Sequence, residues 1–269
     1  MTRALLHRSH LPVVLLALLA PACGGESPPV NTPGPAGFEV VPVSDVDWGP
    51  LNPARGDASP RAADLWGDRT AEGASGFLVR FRDGFSSPPH VHNVTYRAVV
   101  LAGRVHNDDP AAEELWMGPG SFWTQPAGDV HITAARGEDV VAYVEIDEGP
   151  YLVHPVDDAF AIEEQPANVP VAAIEWTTGA IGEPEVALLW GDPLGDAGRF
   201  VRPAAGDTIG LRGRSAFHLV AVSGVSYLEG ARLDPGSSVH GTELRELRCE
   251  GDQTCVVYTR TSGPLELLR

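Results

Sequence analysis

The sequence contains no lysine, and its 19 basic side chains, all arginines, are outnumbered by 36 acidic ones. The resulting formal net charge of −17 over 269 residues repels the phosphate backbone of nucleic acids. It also gives no attraction to an anionic membrane surface. The composition therefore argues against nucleic-acid binding and against electrostatic membrane binding as the function of this chain.

Long apolar runs are also lacking, since residues 11–20 are too few to span a bilayer. This apolar stretch follows Arg3 and Arg8, a pattern that predicts a signal peptide over residues 1–22. The segment A-P-A-C at residues 20–23 resembles a bacterial lipobox, which implies a lipid on Cys23 as the membrane attachment. Its first three residues equally fit an A-x-A cleavage site, so free secretion stays open. In both cases we expect export to the cell envelope or periplasm.

Cysteine is scarce, with three residues in the chain. If Cys23 carries lipid, Cys249 and Cys255 remain, and they flank a turn-like stretch at residues 250–254. Outside the cytoplasm such a pair oxidises, so we predict a disulfide that closes this turn. Two free thiols are the alternative.

Sustained helical periodicity is absent from the rest of the chain. Residues 23–37 are rich in Pro, Gly, Ser and Asn and predict a disordered tether. From residue 38 onward, short runs of Val, Leu, Ile, Phe and Tyr are separated by Gly, Pro and Asp, as in antiparallel all-β proteins.

An internal repeat divides this β region. Six landmarks recur in the same order in both halves: residues 46–48 and 174–176, 65–68 and 189–192, 77–80 and 200–202, 96–103 and 217–224, 119–121 and 235–237, and 149–150 and 263–264. Matched landmarks in a fixed order indicate two copies of one unit. We therefore predict two β domains, at residues 38–165 and 166–269.

Histidines in the first copy form a candidate metal site. His90 and His92 are two residues apart, so on a strand both side chains point to the same face. Tyr96 shares that parity. Two imidazoles on one face can bind one metal ion if a third ligand comes from elsewhere, and His131 is the candidate.

The spacing of these residues resembles the cupin superfamily, whose motifs are G-x5-H-x-H-x3-E-x6-G and G-x5-P-x-G-x2-H-x3-N. Eight motif positions agree: Gly84, His90, His92, Gly103, Gly120, Pro126, Gly128 and His131. Residues 86–100 also look like an uncharacterised family of bacterial two-cupin proteins. The resemblance implies two tandem jelly-roll-like β-barrels, a divalent transition metal (Fe, Zn, Mn or Ni) on the three histidines, and a small-molecule ligand or substrate.

Two positions depart from the cupin motifs, because Tyr96 replaces the glutamate and Ala135 the asparagine. The first change leaves a three-histidine set, as in cupin dioxygenases. Three neutral imidazoles leave the charge of a divalent ion intact and positions open for other ligands. We expect Tyr96 to ligate weakly or to donate a hydrogen bond to bound water or substrate. Glu145, on the same face of a later strand as Tyr143, is a possible fourth ligand.

His106 is a further candidate, as an acid–base group at the barrel mouth or as a surface histidine. In the second copy, the positions of His90 and His92 fall near residues 211–214 and that of His131 near Leu247, so no ligand set survives there. We expect this copy to cover an apolar face of the first barrel.

Two functions remain open from sequence. One is an oxygenase-type metalloenzyme that acts on a small molecule. The other is a non-catalytic protein that binds or senses a small ligand or a metal. A purely structural role is disfavoured by the complete histidine set, and the resemblance implies a monomer or a homodimer.

Overall fold

A computed structural model describes residues 38–177 and 183–268, and they fold almost entirely as antiparallel strands. Short 3₁₀ helices occur at Val43–Asp45, Pro53–Ala58, Val156–Asp158 and Val171–Ala173. The strands are β1 (Phe38–Val41), β2 (Gly49–Pro50), β3 (Arg61–Trp66), β4 (Ser75–Phe81), β5 (Val91–His92), β6 (Tyr96–Asp108), β7 (Phe122–Gln125), β8 (Ile132–Ile146), β9 (Val153–His154), β10 (Ala167–Val169), β11 (Glu185–Gly191), β12 (Asp196–Arg202), β13 (Thr208–Ser223), β14 (Ser226–Leu228), β15 (Ala231–Leu233), β16 (Ser238–Cys249), β17 (Val256–Ser262) and β18 (Leu265–Leu268).

These strands form two large sheets and one small one. The first sheet has the order β10-β7-β6-β8-β4-β3-β2, and β5 pairs separately with β9. The second has the order β11-β12-β17-β13-β16-β14-β15, with β1 also on β16 and β18 also on β13. The predicted all-β fold of two tandem cupin-like barrels is confirmed. No helix in the described part of the chain is long and apolar enough to cross a membrane.

Each sheet takes one strand from the other half of the chain. β1 precedes the first barrel in sequence but pairs with β16 of the second sheet, while β10 pairs with β7 of the first. Main-chain hydrogen bonds therefore tie the two barrels together at both ends of the first repeat. The division of the chain at residue 165 stays a prediction, and the sheet pairing crosses it twice.

Side-chain alternation along the strands creates three apolar clusters. On β4, Phe77 and Val79 point into the core of the first barrel, whereas Leu78 lies between the two sheets. On β13, Leu219 packs inside the second barrel and Val220 lies between the sheets. Because these strands are buried on both faces, they appear in the sequence as continuous apolar runs.

Candidate metal centre

The three histidines predicted from the motif converge in the first barrel. Opposite residues of an antiparallel bridge present their side chains on the same face. His90 and His131 form such a bridge, with N–H···O=C distances of 3.0 and 3.1 Å. His92 lies on β5, which is held by β9. One ligand atom from each ring lies within 4.8 Å of the others.

Main-chain carbonyls fix the tautomer of each ring. The Nδ1 atoms of His90, His92 and His131 lie 2.9, 3.0 and 3.0 Å from the carbonyl oxygens of Pro88, Leu152 and Asp129, in that order. A carbonyl oxygen accepts only, so each Nδ1 carries the proton and each Nε2 keeps its lone pair. Metal-binding histidines are oriented by such outer contacts, and three neutral imidazoles suit a divalent transition ion rather than a hard, oxygen-preferring one.

Burial keeps these rings uncharged. The pKa of His92 lies well below its usual value, first because of burial and then because of the neighbouring His131 and His90. Burial, and after it the proximity of His90, lowers the pKa of His131 to about 3. For His90, which is 9% exposed, burial and the positive charge of Arg55 both lower the pKa. The cluster is therefore ready to accept a metal ion without first losing protons.

A glycine of the second motif determines the backbone conformation of the loop that precedes His131. Gly128 has a φ of 74°, and a Cβ at this position would lie 2.4 Å from the carbonyl oxygen of Phe160. Its N–H donates to the carbonyl of His92 over 2.8 Å, which ties the loop before His131 to the end of β5. Only glycine combines this conformation with so close an approach.

Tyr96 lies at the cluster, with its hydroxyl oxygen 3.4 Å from Nε2 of His131. The hydroxyl also lies 2.9 Å from Oδ1 of Asn107, a carbonyl-type atom that only accepts. The amide nitrogen of Asn107 donates in turn to Oε1 of Gln125 over 2.9 Å, which fixes the orientation of the Asn107 side chain. The Tyr96 proton is thus directed to Asn107 and its oxygen lies near His131, while the expected roles of Tyr96, weak ligation or donation to bound water or substrate, stay predictions.

Burial raises the pKa of Tyr96 far above its usual value, so its hydroxyl stays protonated. The indole of Trp123 is the main neighbour that opposes this rise in pKa, although its N–H does not reach hydrogen-bond geometry with the Tyr96 hydroxyl. The structure places Tyr96 beside the predicted ligands, and its role in catalysis stays a prediction.

Tyr151 is a site residue that the sequence motifs did not indicate. Its ring stacks on His92 with centroids 4.5 Å apart, and its hydroxyl lies 3.3 Å from Nε2 of His92. Burial raises its pKa well above the usual value. Tyr151 reaches the cluster because β9 follows it directly and pairs with β5. Two phenol groups therefore stand against the three imidazoles.

A cavity of approximately 70 Å³ lies beside these tyrosines inside the first barrel. Its wall is mainly apolar, with a few polar groups from Tyr96, Tyr151, Trp123 and Thr133. Arg55 also lines it, from the 3₁₀ helix at Pro53–Ala58. The three histidines are not among its lining residues, and Tyr96 and Tyr151, which line it and contact His131 and His92, connect the cavity to the cluster.

Glu145 does not belong to this cluster, which corrects its assignment as a possible fourth ligand. It is 1% exposed and points between the barrels, where it accepts hydrogen bonds from Tyr143 over 2.9 Å and from Tyr258 over 2.5 Å. Arg260 stands 3.5 Å away. The shared parity of Tyr143 and Glu145 was correct, but their face of β8 is the one that contacts the second barrel.

His106 also lies away from the cluster. The next residue, Asn107, points inward to Tyr96, so His106 points outward, where its Nδ1 lies 3.3 Å from the carbonyl of Leu115. Its ring packs against Trp116. The proposed acid–base role of His106 is not supported by this position.

The second barrel repeats the scaffold without the ligands. The indole N–H of Trp66 donates to Tyr143, and that of Trp190 donates to Tyr258 in the equivalent place. Leu211 and Leu247, near the positions of the missing histidines, are fully buried in an apolar core. Within residues 38–177 and 183–268, the three-histidine cluster is the one group suited to a metal ion.

Two predictions concerned cysteine residues, and the structure describes one of them. Cys249 and Cys255 form a disulfide at the turn after β16. Cys23 lies outside the described residues, as do the predicted signal peptide and tether.

The comparisons with known proteins agree with this architecture. A family model described as a domain of unknown function (DUF4437) matches residues 39–268. No curated protein matches the sequence.

Solved structures share the fold at low sequence identity. A Nostoc punctiforme PCC 73102 protein, described as a candidate dioxygenase, has 13% identity and a TM-score of 0.63, covering 85% of this chain and 84% of its own. The formate complex of Lactobacillus farciminis oxalate decarboxylase has 11% identity and a TM-score of 0.54, covering 85% and 87%. Bacillus subtilis oxalate decarboxylase, studied for its Mn(II) centres, has 13% identity and a TM-score of 0.52, covering 83% and 77%. These likenesses establish the cupin fold.

Proposed function

We propose that this chain, which belongs to the DUF4437 family, is an exported metalloenzyme of the dioxygenase type that acts on a small molecule. One observation carries the proposal. Three imidazoles meet at one point, each with Nδ1 committed to a main-chain carbonyl and Nε2 therefore unprotonated, with the hydroxyls of Tyr151 and Tyr96 lying 3.3 and 3.4 Å from Nε2 of His92 and His131. Histidines that cluster by chance are not expected to turn Nδ1 toward a main-chain carbonyl in all three rings. Metal-binding histidines are oriented by such contacts.

The donor set fits a divalent transition metal. His90, His92 and His131 would hold the ion, which would supply Lewis-acid or redox chemistry. The candidate dioxygenase of Nostoc and the Mn(II) centres of the oxalate decarboxylase support this class of chemistry by analogy of fold. The identity of the metal, among Fe, Zn, Mn and Ni, is left to experiment.

The residues around the cluster position and shield a ligand. The hydroxyl of Tyr96 donates its hydrogen bond to Oδ1 of Asn107. Its oxygen lone pairs are therefore available toward the cluster. Tyr151 covers one face of His92 and keeps water from that side. The apolar wall of the cavity strengthens every polar contact made inside it.

A non-catalytic binding or sensing protein is the second candidate. The observation that favours it is the absence, from the described residues that line the cavity, of a carboxylate or a free histidine to transfer protons near neutral pH. Both candidates use the same cluster, and metal identity with turnover distinguishes them.

Location and assembly belong to the same proposal. The pattern of residues 1–22 and Cys23 favours export with a lipid anchor, and the Cys249–Cys255 disulfide is typical of proteins outside the cytoplasm. We propose a monomer or homodimer that contacts the membrane through the lipid alone.

The test is elemental analysis of the purified mature protein beside two variants. We expect about one transition-metal ion per chain in the wild type. His92→Ala should lose most of it, whereas His240→Ala, a histidine of the second barrel, should retain it. Oxygen uptake by the iron-loaded protein with small diketones or thiols would support the enzyme, and tightly held zinc without turnover would support the binder. A metal-free wild type, or equal metal in His92→Ala, would refute both.

A further inference from the structure

The three-histidine cluster lacks a negative charge to balance a divalent ion. Its ligands are neutral imidazoles, and the carboxylate of Glu145 faces the second barrel. None of the described residues that line the adjacent cavity is acidic. A buried divalent ion on three neutral ligands keeps its full charge, so an anion from outside the protein would bind beside it more favourably than a neutral molecule of the same size.

A buried donor without a hydrogen-bond partner belongs to the same cavity wall. Trp123 is 2% exposed and is one of the residues that line the cavity, yet its indole N–H makes no hydrogen bond in the part of the chain that the structure describes, because the neighbouring hydroxyl of Tyr96 is not placed to accept it. The indole nitrogen can only donate, so no rotation or change of tautomer satisfies it. Buried donors without an acceptor are rare and costly, and a bound acceptor removes that cost.

The outer wall of the cavity also offers donors. Arg55 lines it and forms no ion pair with any described residue. Asn52 stands beside it, and its Oδ1 already accepts from the N–H of Ala54, which leaves the amide hydrogens of Asn52 for a ligand.

We propose that this cavity binds a small carboxylate anion, with the indole N–H of Trp123 and the guanidinium of Arg55 as donors to its oxygens. The proposal rests on the proposed function, because the metal supplies the charge that the anion balances. The volume of approximately 70 Å³ corresponds to roughly two water molecules of about 30 Å³ each. A space of this volume holds an anion of formate or acetate size, whereas an aromatic acid would have to protrude from its open side.

The experiment uses the cobalt-loaded full-length mature protein, with cobalt content measured first. Acetate, its neutral isostere acetamide, and benzoate are each titrated by calorimetry and by the visible absorption of Co²⁺. Trp123→Phe keeps an aromatic ring and removes the N–H, with Trp116→Phe as its matched control on the surface. Arg55→Gln removes the charge at an exposed position that does not endanger folding, with Arg82→Gln as its control outside the cavity.

We expect acetate to bind one to one, and acetamide and benzoate at least tenfold more weakly. Trp123→Phe and Arg55→Gln should each weaken acetate binding by roughly 10- to 100-fold, the range for a hydrogen bond to a charged group. The two controls should bind acetate as the wild type does. Equal binding of acetate and acetamide, or unchanged acetate binding in both cavity variants, would overturn the proposal while cobalt content upholds the metal site. Failure of the wild type to take up cobalt would refute the metal site, and this inference with it.

Discussion

The affinity of the three-histidine site for metal should hardly depend on pH between 7.5 and 5.5. Ordinary imidazoles have a pKa of about 6.5, so at pH 5.5 each would be roughly 90% protonated, and three of them would lose about 10³-fold in metal affinity. Here burial lowers all three pKa values, with a further decrease from the neighbouring histidines for His92 and His131 and from Arg55 for His90, and the pKa of His131 falls to about 3. We therefore expect a loss of less than about tenfold.

The measurement is zinc affinity at both pH values, by competition with a chelator of known protonation. Calorimetry in buffers of different ionisation enthalpy gives the protons released on binding. At pH 6.0 we expect close to none per ion, against roughly two for three ordinary imidazoles. A 10³-fold loss, or release of two protons, would show that the rings are charged in the apoprotein and would refute this reasoning.

The same lowered pKa values set how the stability of the metal-free protein depends on pH. Below pH 6.5 the unfolded chain takes up protons on these histidines while the folded chain does not, so the free energy of unfolding falls as the pH falls. The slope approaches 1.36 kcal/mol per pH unit as the unfolded imidazole becomes protonated, so His131 alone accounts for about 2 kcal/mol between pH 6.5 and 4.5. Bound metal should oppose this loss, and urea unfolding of the apo and metal-loaded forms measures the difference.

Three further predictions concern the framework. Glu145→Ala should lower the free energy of unfolding by about 3–5 kcal/mol in urea, because two tyrosine hydroxyls and Arg260 lose a buried acceptor; a loss below about 1 kcal/mol would contradict the network. Replacing Cys249 and Cys255 by serine should cost about 2 kcal/mol in thermal unfolding, and an unchanged melting temperature would count against the disulfide. Leu78→Ala should cost about 2–5 kcal/mol without changing metal content, since this side chain lies between the sheets; loss of metal would place it at the site.

The histidine cluster could be predicted from sequence because residue spacing pairs His90 with His92 and the resemblance to the cupin motifs adds His131. A single residue between His90 and His92 fixes a common face on any strand, and the Gly128 turn places His131 opposite His90. Tyr151 could not be predicted in the same way. Its approach depends on the pairing of β5 with β9, two strands of two residues each, which leave no periodic signal.

The alternation of side chains along a strand does not predict their positions where the strand is irregular or where both of its faces are buried. Tyr96 and His106 are ten residues apart and should share a face, but a bulge in β6 between Val100 and Ala102 reverses the alternation. Val100 and Val105 accordingly both point into the core. Glu145 has the parity expected from Tyr143, but both faces of β8 are buried, so parity cannot tell which face is the inside of the barrel.

The measurement that tests the central claim most directly is an anomalous difference map from crystals of the metal-loaded mature protein. The three imidazoles predict one strong peak in the first barrel, about 2.0–2.2 Å from Nε2 of His90, His92 and His131. A map without a peak there, or with its strongest peak beside His218 and His240 of the second barrel, would contradict the metal centre and the functions built on it.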